Sequence, residues 1–346
     1  MTQASSRVRE VDVIRVPIDY GSAMLKVAAQ HFVVDHALGG PIDDILLDDR
    51  KQLEQIMVRD DDGLICGLNA VRNWAATHPD RLNEILEYPK LCLCAKYKDT
   101  PTARRVCDAL SAKYGDIAEV QELIAAQMVW IKQAVLSFYR NQHIKGRRYP
   151  QEYWDAIRIE CMITVPCMWD ESARGVMRNA AASAGVSNIA ILLEPLSVAA
   201  VEMDKMRGIG DIGANETVAF LDIGHSTADL ASVMETASKS NDRRSSLRIV
   251  GTPFGDDVGA QVLHVAAEEA MIQKCQEMYG GCTVADVCRR LGNMPEHEFL
   301  RRFSEAFGLR KKGFPGEQVY HVSVSGMPEW WNIPGAEGDV TFKFSE

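Results

Sequence analysis

Two short segments carry residue types suited to phosphate and metal chemistry. Ile18-Asp19-Tyr20-Gly21-Ser22 and Leu221-Asp222-Ile223-Gly224-His225 each put an aspartate at the end of an apolar run, with a glycine two residues on. Both read as strand, Asp-x-Gly, turn, strand. A carboxylate at a strand end can hold a hydrated Mg²⁺ through its waters, because Mg²⁺ keeps much of its hydration. A glycine-containing turn lets backbone N–H groups approach phosphate oxygens. A single Asp-x-Gly is an everyday turn. Two of them, set about one lobe apart, would clamp a polyphosphate from both sides.

The elements that must position these turns alternate between strands and helices. Strand patterns cover Val11–Asp19, with Pro17 as a cost to its ladder, and Met24–Phe32. The acidic stretch Asp43–Gly63 reads as loop with a short helix. Helical spacing covers Leu68–Thr77, Thr102–Lys113 and Asp116–His143, the last through Val120, Ile124, Met128, Ile131 and Val135. Gly146–Pro150 is a basic loop. Ile159–Val165 is a strand stopped by Pro166, and Asp170 or Ser172 caps a helix that Gly185 ends. Ile189–Leu193 is a strand, followed by Glu194-Pro195 and a helix through Met206. Gly208–Ala214 is a boundary. Strands follow at Thr217–Ile223, Thr227–Met234 and Leu247–Val250, and Gly251–Asp257 precedes a helix to Met278. Arg289–Leu309 reads as helix, and Gln318–Val324 and Val340–Phe344 as short strands.

Composition limits the function classes. The chain has 346 residues, 47% hydrophobic and 25% charged, which is ordinary for a large globular core. Its net charge of −10 and pI of about 5.4 argue against a general nucleic-acid or anionic-membrane partner. No run approaches the roughly 20 apolar residues of a membrane span. The first ten residues, MTQASSRVRE, lack the apolar core of a secretory signal. The nine cysteines form no framework, which fits a reduced, cytoplasmic setting. Gly208-Ile209-Gly210-Asp211-Ile212-Gly213 matches a dinucleotide fingerprint, but it precedes a strand instead of following one, so it reads as a linker. Trp330-Trp331 reads as buried packing.

Several blocks resemble the 70-kilodalton heat-shock protein family. Ile163-Thr164-Val165-Pro166-Cys167-Met168-Trp169-Asp170, followed by Ala180 to Gly185, resembles the family's Thr-Val-Pro strand and the helix that ends in Ala-Gly. The tryptophan and the double alanine look most like divergent heat-shock-70-like proteins common in fungi. Leu193-Glu194-Pro195-Leu196-Ser197-Val198-Ala199-Ala200 resembles the Asn-Glu-Pro-Thr-Ala-Ala-Ala segment. Asp222 to Leu230 resembles the second phosphate loop, Asp-x-Gly-Gly-Gly-Thr-x-Asp.

The resemblance implies an α/β, two-lobed actin-like ATPase (ribonuclease-H-like) fold. Lobe one would span 1–196 and a partial lobe two 197–346. It also implies ATP or ADP with Mg²⁺ as cofactors, and an unfolded protein or a co-chaperone as partner. Asp19 and Asp222 would hold the metal's water shell. Gly21, Ser22 and Ala23 would line the first phosphate loop, and Gly224, His225, Ser226 and Thr227 the second. Glu194 would place the metal or the attacking water, and Asp229 would stand behind them. Gly255 matches a later phosphate-contacting glycine. Lys90 matches the lysine at the terminal phosphate, against the reading of a solvated strand lysine. Lys311 and Lys312 would flank the adenine.

The departures are chemical. Ala23 replaces a hydroxyl-bearing residue, His225-Ser226 replace two glycines, and Asp256 stands where a second glycine is expected. A carboxylate about 4 Å from a phosphate charge costs about 4 kcal/mol at an effective dielectric near 20. The family's returning strands, adenosine loop and peptide-binding domain find no counterpart, so the second sheet is expected to be incomplete with exposed edges. Three activities follow: a Mg-dependent ATP hydrolase of chaperone type, weak or degenerate; a pseudo-ATPase serving as a binding or scaffold module; and a small-molecule kinase of the same superfold.

Overall fold

The structure is a computed structural model. It describes residues 12–21, 24–32, 41–47, 53–61, 63–81, 84–87, 89–93, 107, 117–141, 149–210, 212, 216–236, 246–256, 259–278, 281, 283–290, 299–300, 303, 307, 320–324 and 340–344. Ser22, Ala23, Gly146 to Arg148, Lys311, Lys312, Trp330 and Trp331 lie outside the described residues, as does most of the helix expected over Thr102–Lys113. The chain divides into two compact units, 1–259 and 260–346.

In the first unit, strands β1 (Val13–Tyr20), β2 (Met24–Phe32), β3 (Ile42–Ile45), β8 (Arg158–Val165) and β9 (Asn188–Leu193) form a mixed sheet in the order β3-β2-β1-β8-β9. A two-residue strand, β4 (Leu53–Glu54), also pairs with β2. β1 and β2 are an antiparallel hairpin, while β1, β8 and β9 run parallel. The β1–β2 register covers Val13 to Arg15 and Ile18 to Tyr20, with a break at Val16 and Pro17. Pro17 has no N–H to give to a ladder, and the gap falls on it.

The acidic stretch after β2 differs from expectation. It forms β3, β4 and β5 (Ile56–Asp60), with β6 (Gly63–Cys66) following, instead of a loop and short helix. Ile45, Leu47, Met57 and Val58 are buried there, so their apolar contacts outweigh the low strand preference of the aspartates. β5 pairs with β6 and with β7 (Leu86–Glu87).

The helices cover the sheet through faces set by 3.6-residue spacing. α1 (Leu68–Thr77) has the expected bounds. α2 (Ile117–Asn141) buries Val120, Ile124, Met128, Ile131 and Val135. A short α3 (Gln151–Ala156) occupies a stretch the sequence did not mark. α4 (Glu171–Ser183) joins β8 to β9 and starts at Asp170, whose Oδ1 accepts the Ala173 amide at 2.8 Å. That oxygen satisfies one of the helix's four unpaired N–H groups. At the other end Gly185 takes φ 75°, and Lys132 of α2 donates to the Ala184 and Gly185 carbonyls at 3.0 and 3.1 Å. A cation there also suits the negative end of the helix. Ile14, Val16, Ile18, Ile163, Val165, Trp169, Met177 and Ala181 belong to the shared core.

α5 (Glu194–Ile209) follows β9 directly, and Gly210 ends it in the left-handed conformation at φ 80°. Gly208 and Gly210 of the apparent fingerprint thus lie at a helix end and not in a dinucleotide turn. β10 (Thr217–Ile223), β11 (Ala228–Thr236) and β12 (Ser246–Asp256) form an antiparallel sheet. Ala199, Met203, Phe220, Ala231 and Val233 pack between it and α5. β12 runs on through Gly251–Asp256, past the Leu247–Val250 that the strand pattern marked. A register shift between Leu230 and Ser232 sets Gly251, Thr252 and Pro253 opposite Ala231, and Gly251 has φ 78°. This is a β-bulge that absorbs the turn-forming residues.

The second unit contains α6 (Gln261–Met278), α7 (Val284–Arg290), helical residues at 299–300, 303 and 307, and a hairpin of β13 (Tyr320–Val324) and β14 (Val340–Phe344). Phe299 and Phe303 are fully buried in it.

Candidate phosphate and metal site

The two Asp-x-Gly turns lie close enough for Asp19 to act electrostatically on Asp222. Asp19 is the next-to-last residue of β1, where parallel pairing with β8 brings Thr164 alongside; Thr164 donates to Asp19 Oδ1 at 3.2 Å. Across the hairpin Lys26 pairs with Asp19, its Nζ 3.3 Å from Oδ2. The Asp19 side chain remains 45% exposed, so it stays open to a ligand. Gly21 sits where a Cβ would lie 2.5 Å from the Met24 carbonyl, so the turn after Asp19 has no room for a side chain. The Gln55 amide donates to the Gly21 carbonyl and fixes that turn further.

The second turn is built alike. Asp222 lies one residue before the end of β10, opposite Asp229 of β11. The Gly224 amide donates to the Thr227 carbonyl at 2.7 Å. Ser226 and Thr227 are buried and His225 is half-buried. Gly259 packs so closely on this turn that a Cβ would overlap the His225 carbonyl. Asp229 is almost fully buried, and its Oδ1 accepts the Cys167 amide at 2.6 Å. Its Oδ2 is buried without a hydrogen-bond partner among the described residues. Gly255 pairs with Asp229 across the sheet, and a Cβ there would fall 2.6 Å from Asp229 Oδ1.

Lys90 and Glu194 lie behind these carboxylates. Lys90 belongs to a 3-10 turn, Pro89–Leu93, and is 3% exposed, which corrects its reading as a solvated strand lysine. Its Nζ donates to Glu194 Oε1 at 2.7 Å and to the Tyr20 carbonyl at 2.6 Å, within 5.5 Å of the Trp169 ring centroid. A buried ammonium needs such partners, because burial strips it of the water that would otherwise solvate its charge. Tyr20 is held in turn by its hydroxyl donating to Gln127 Oε1.

The electrostatics show that these groups act on one another. Burial pushes the Glu194 pKa up, Lys90 opposes it, and Asp229 and Asp19 push it further up. Burial also raises Asp222, with Asp229 and Asp19 adding to the rise and Lys90 and Lys26 opposing it. Burial raises Asp229 against the Cys167 amide, which favours its charged form. Acidic groups outnumber the lysines here, and a bound cation would favour the charged forms of the carboxylates that burial opposes. No three His, Cys, Asp or Glu side chains among the described residues are spaced to grip a metal directly. Carboxylates at strand ends, such as Asp19 and Asp222, suit a cation that keeps its water shell, as Mg²⁺ does.

The structure thus brings Asp19, Gly21, Asp222, Gly224, Glu194, Lys90 and Asp229 into one neighbourhood. Sequence reasoning missed Thr164, Gln55, Cys167 and Trp169 as their supports. Thr164 was available from the strand pattern: the residue level with Asp19 on the neighbouring parallel strand is the one able to touch it.

No curated protein matches the chain. The family model described as Hsp70 protein matches residues 148–262, from α3 through the start of α6. That stretch holds Glu194, Asp222, Gly224, Asp229 and Gly255, and over it the chain is similar to the Hsp70 family.

Proposed function

We propose that the facing Asp-x-Gly turns bind the polyphosphate of ATP or ADP with Mg²⁺, and that turnover is slow or absent. The observation that carries this reading is the mutual electrostatic neighbourhood of Asp19, Asp222, Glu194 and Lys90. Bound Mg²⁺ would neutralise phosphate charge there. Asp19 and Asp222 would hold its waters, and the amides of Gly21 and Gly224 would line the phosphates, with Ser22, Ala23, His225, Ser226 and Thr227 completing the two loops. Lys90 has two of its three N–H bonds committed to Tyr20 and Glu194, so one is left for a terminal phosphate oxygen. Glu194 gives Oε1 to Lys90, and its other oxygen can orient a water. Catalysis of this kind is positioning plus electrostatic stabilisation.

A binding module without turnover is the second reading. Ala23 offers no hydroxyl, and Ser226 and Thr227 are buried beneath their turn. The lobes we assign run over 1–196 and from 197 onward. We place the chain in the cytoplasm on the strength of its thiols, seven of which stand outside any disulfide among the described residues. No helix of the described residues is long and apolar enough to cross a membrane. A client polypeptide or a co-chaperone is the partner we assign beyond the nucleotide.

Isothermal titration with Mg-ATP tests the reading. We expect a Kd above about 1 μM, lost on chelating Mg²⁺ and lost in Asp19→Asn/Asp222→Asn. Submicromolar binding would overturn the weak site, and no binding at millimolar nucleotide would overturn the site itself. Phosphate release above background would separate slow hydrolysis from binding alone.

A further inference from the structure

A second reactive pair lies next to the turn that carries Lys90. Cys92 sits two residues after Lys90 in the same 3-10 turn, and it is 4% exposed. The Cys107 and Cys92 sulfurs are 2.8 Å apart. Neither is in a disulfide, and Cys107 is the more exposed of the two. A disulfide needs about 2.05 Å between sulfurs, so closing the bond takes a shift of less than 1 Å. The two residues are 15 apart in sequence, a separation at which loop closure costs little entropy.

We infer that Cys92 and Cys107 are a reversible dithiol–disulfide pair, oxidised by a low-molecular-weight disulfide such as oxidised glutathione. The Cys107 thiolate attacks one sulfur of the oxidant, forms a mixed disulfide and releases one glutathione thiolate. The Cys92 thiolate then attacks the Cys107 sulfur and releases the second. The two protein thiols lose two electrons, the oxidant gains them, and the two thiol protons end on the two glutathiones. Thiol access sets the order, since the half-buried Cys107 meets the oxidant before the buried Cys92. A disulfide of this kind in a reducing compartment is transient and signals oxidation.

Closing the bond draws on the turn that holds Lys90. The Lys90 ammonium is fixed by two hydrogen bonds of 2.6 and 2.7 Å, and shifts of a few tenths of an ångström lengthen both. The effect on ligand binding rests on the phosphate-site reading above; the disulfide itself rests only on the sulfur geometry.

The full chain, treated with oxidised glutathione, blocked with iodoacetamide and digested with trypsin, decides the matter. Peptide 91–96 should appear joined to peptide 106–113, two hydrogens lighter than their sum, and dithiothreitol should separate them. Peptide 91–96 also contains Cys94, so the link must persist in Cys94→Ser and vanish in Cys92→Ala and in Cys107→Ser. Alkylated Cys107, a lasting mixed disulfide with glutathione, or a link through Cys94 overturns the pair. Mg-ATP titration of the reduced and oxidised chains gives the second arm. A several-fold weaker affinity on oxidation, absent in Cys107→Ser, is expected; equal affinities overturn the coupling to Lys90. A link that forms in a chain that never binds Mg-ATP refutes the phosphate site and leaves the dithiol pair standing.

Discussion

Replacing Lys90 with methionine removes an ammonium and keeps most of its volume. In the folded chain the Lys90 and Glu194 side chains are 4% and 12% exposed and meet at 2.7 Å. At that distance and an effective dielectric near 20, their gross attraction is about 6 kcal/mol. Each ion gives up hydration worth several kcal/mol on burial, so the intact pair comes close to breaking even against an apolar pair. The single substitution behaves differently. It deletes the attraction, strands the Tyr20 carbonyl, and leaves the Glu194 carboxylate buried with Lys90, the chief charge opposing its pKa rise, gone. The expected cost is about 3–5 kcal/mol. Lys90→Met/Glu194→Met removes both charges and should recover most of that loss. Urea denaturation at pH 7, followed by circular dichroism with the slope checked for constancy, measures all three chains. A cost below about 1 kcal/mol for Lys90→Met is what an exposed ion pair would give, and it would refute the buried pair. A double variant as unstable as the single would refute the account of a stranded carboxylate.

Three further outcomes follow from named contacts. Asp170→Ala should cost about 1 kcal/mol, since Asp170 Oδ1 caps α4, and Asp170→Asn a few tenths; urea midpoints measure both. Burial pushes the Cys161 and Cys167 thiols up to about 12, so at pH 8 only ~10⁻⁴ of each is thiolate, and iodoacetamide should label them only after unfolding; labelling of the native chain refutes this. Burial holds the His31 pKa down while Asp12 opposes. The unfolded chain therefore takes up a proton first as pH falls through about 6.5, and stability drops until the lower folded pKa is passed. His31→Gln should flatten the fall below that pH in denaturation profiles, and an unchanged slope would contradict it.

The sequence exposed the site better where punctuation was strong. β10 and α1 have the bounds their patterns predict, because Gly67 and the Gly224 turn interrupt clear periodicities. Asp19 and Asp222 were legible as a pair because both stand at a strand end before a glycine. The strands between 42 and 66 were not, because they are short and their polar residues mask the alternation of the buried ones. Lys90 gave no local signal of burial. What holds it is Glu194, 104 residues away, and the Tyr20 carbonyl, 70 residues away. Cys167 was read as part of a strand-ending motif, yet its role is played by its backbone amide, which any residue but proline would supply.

The bulge in β12 bears on which parts of this chain can drift through mutation. On the near side, Asp229 is locked opposite Gly255; on the far side the pairing resumes two residues out of step. A residue gained or lost beyond the bulge can be taken up by Gly251–Pro253 before the shift reaches Asp229. In an uninterrupted ladder the same change would flip every side chain to the opposite face. The far half of this hairpin is therefore free to vary in length over generations, while the half that carries the carboxylates keeps its alignment.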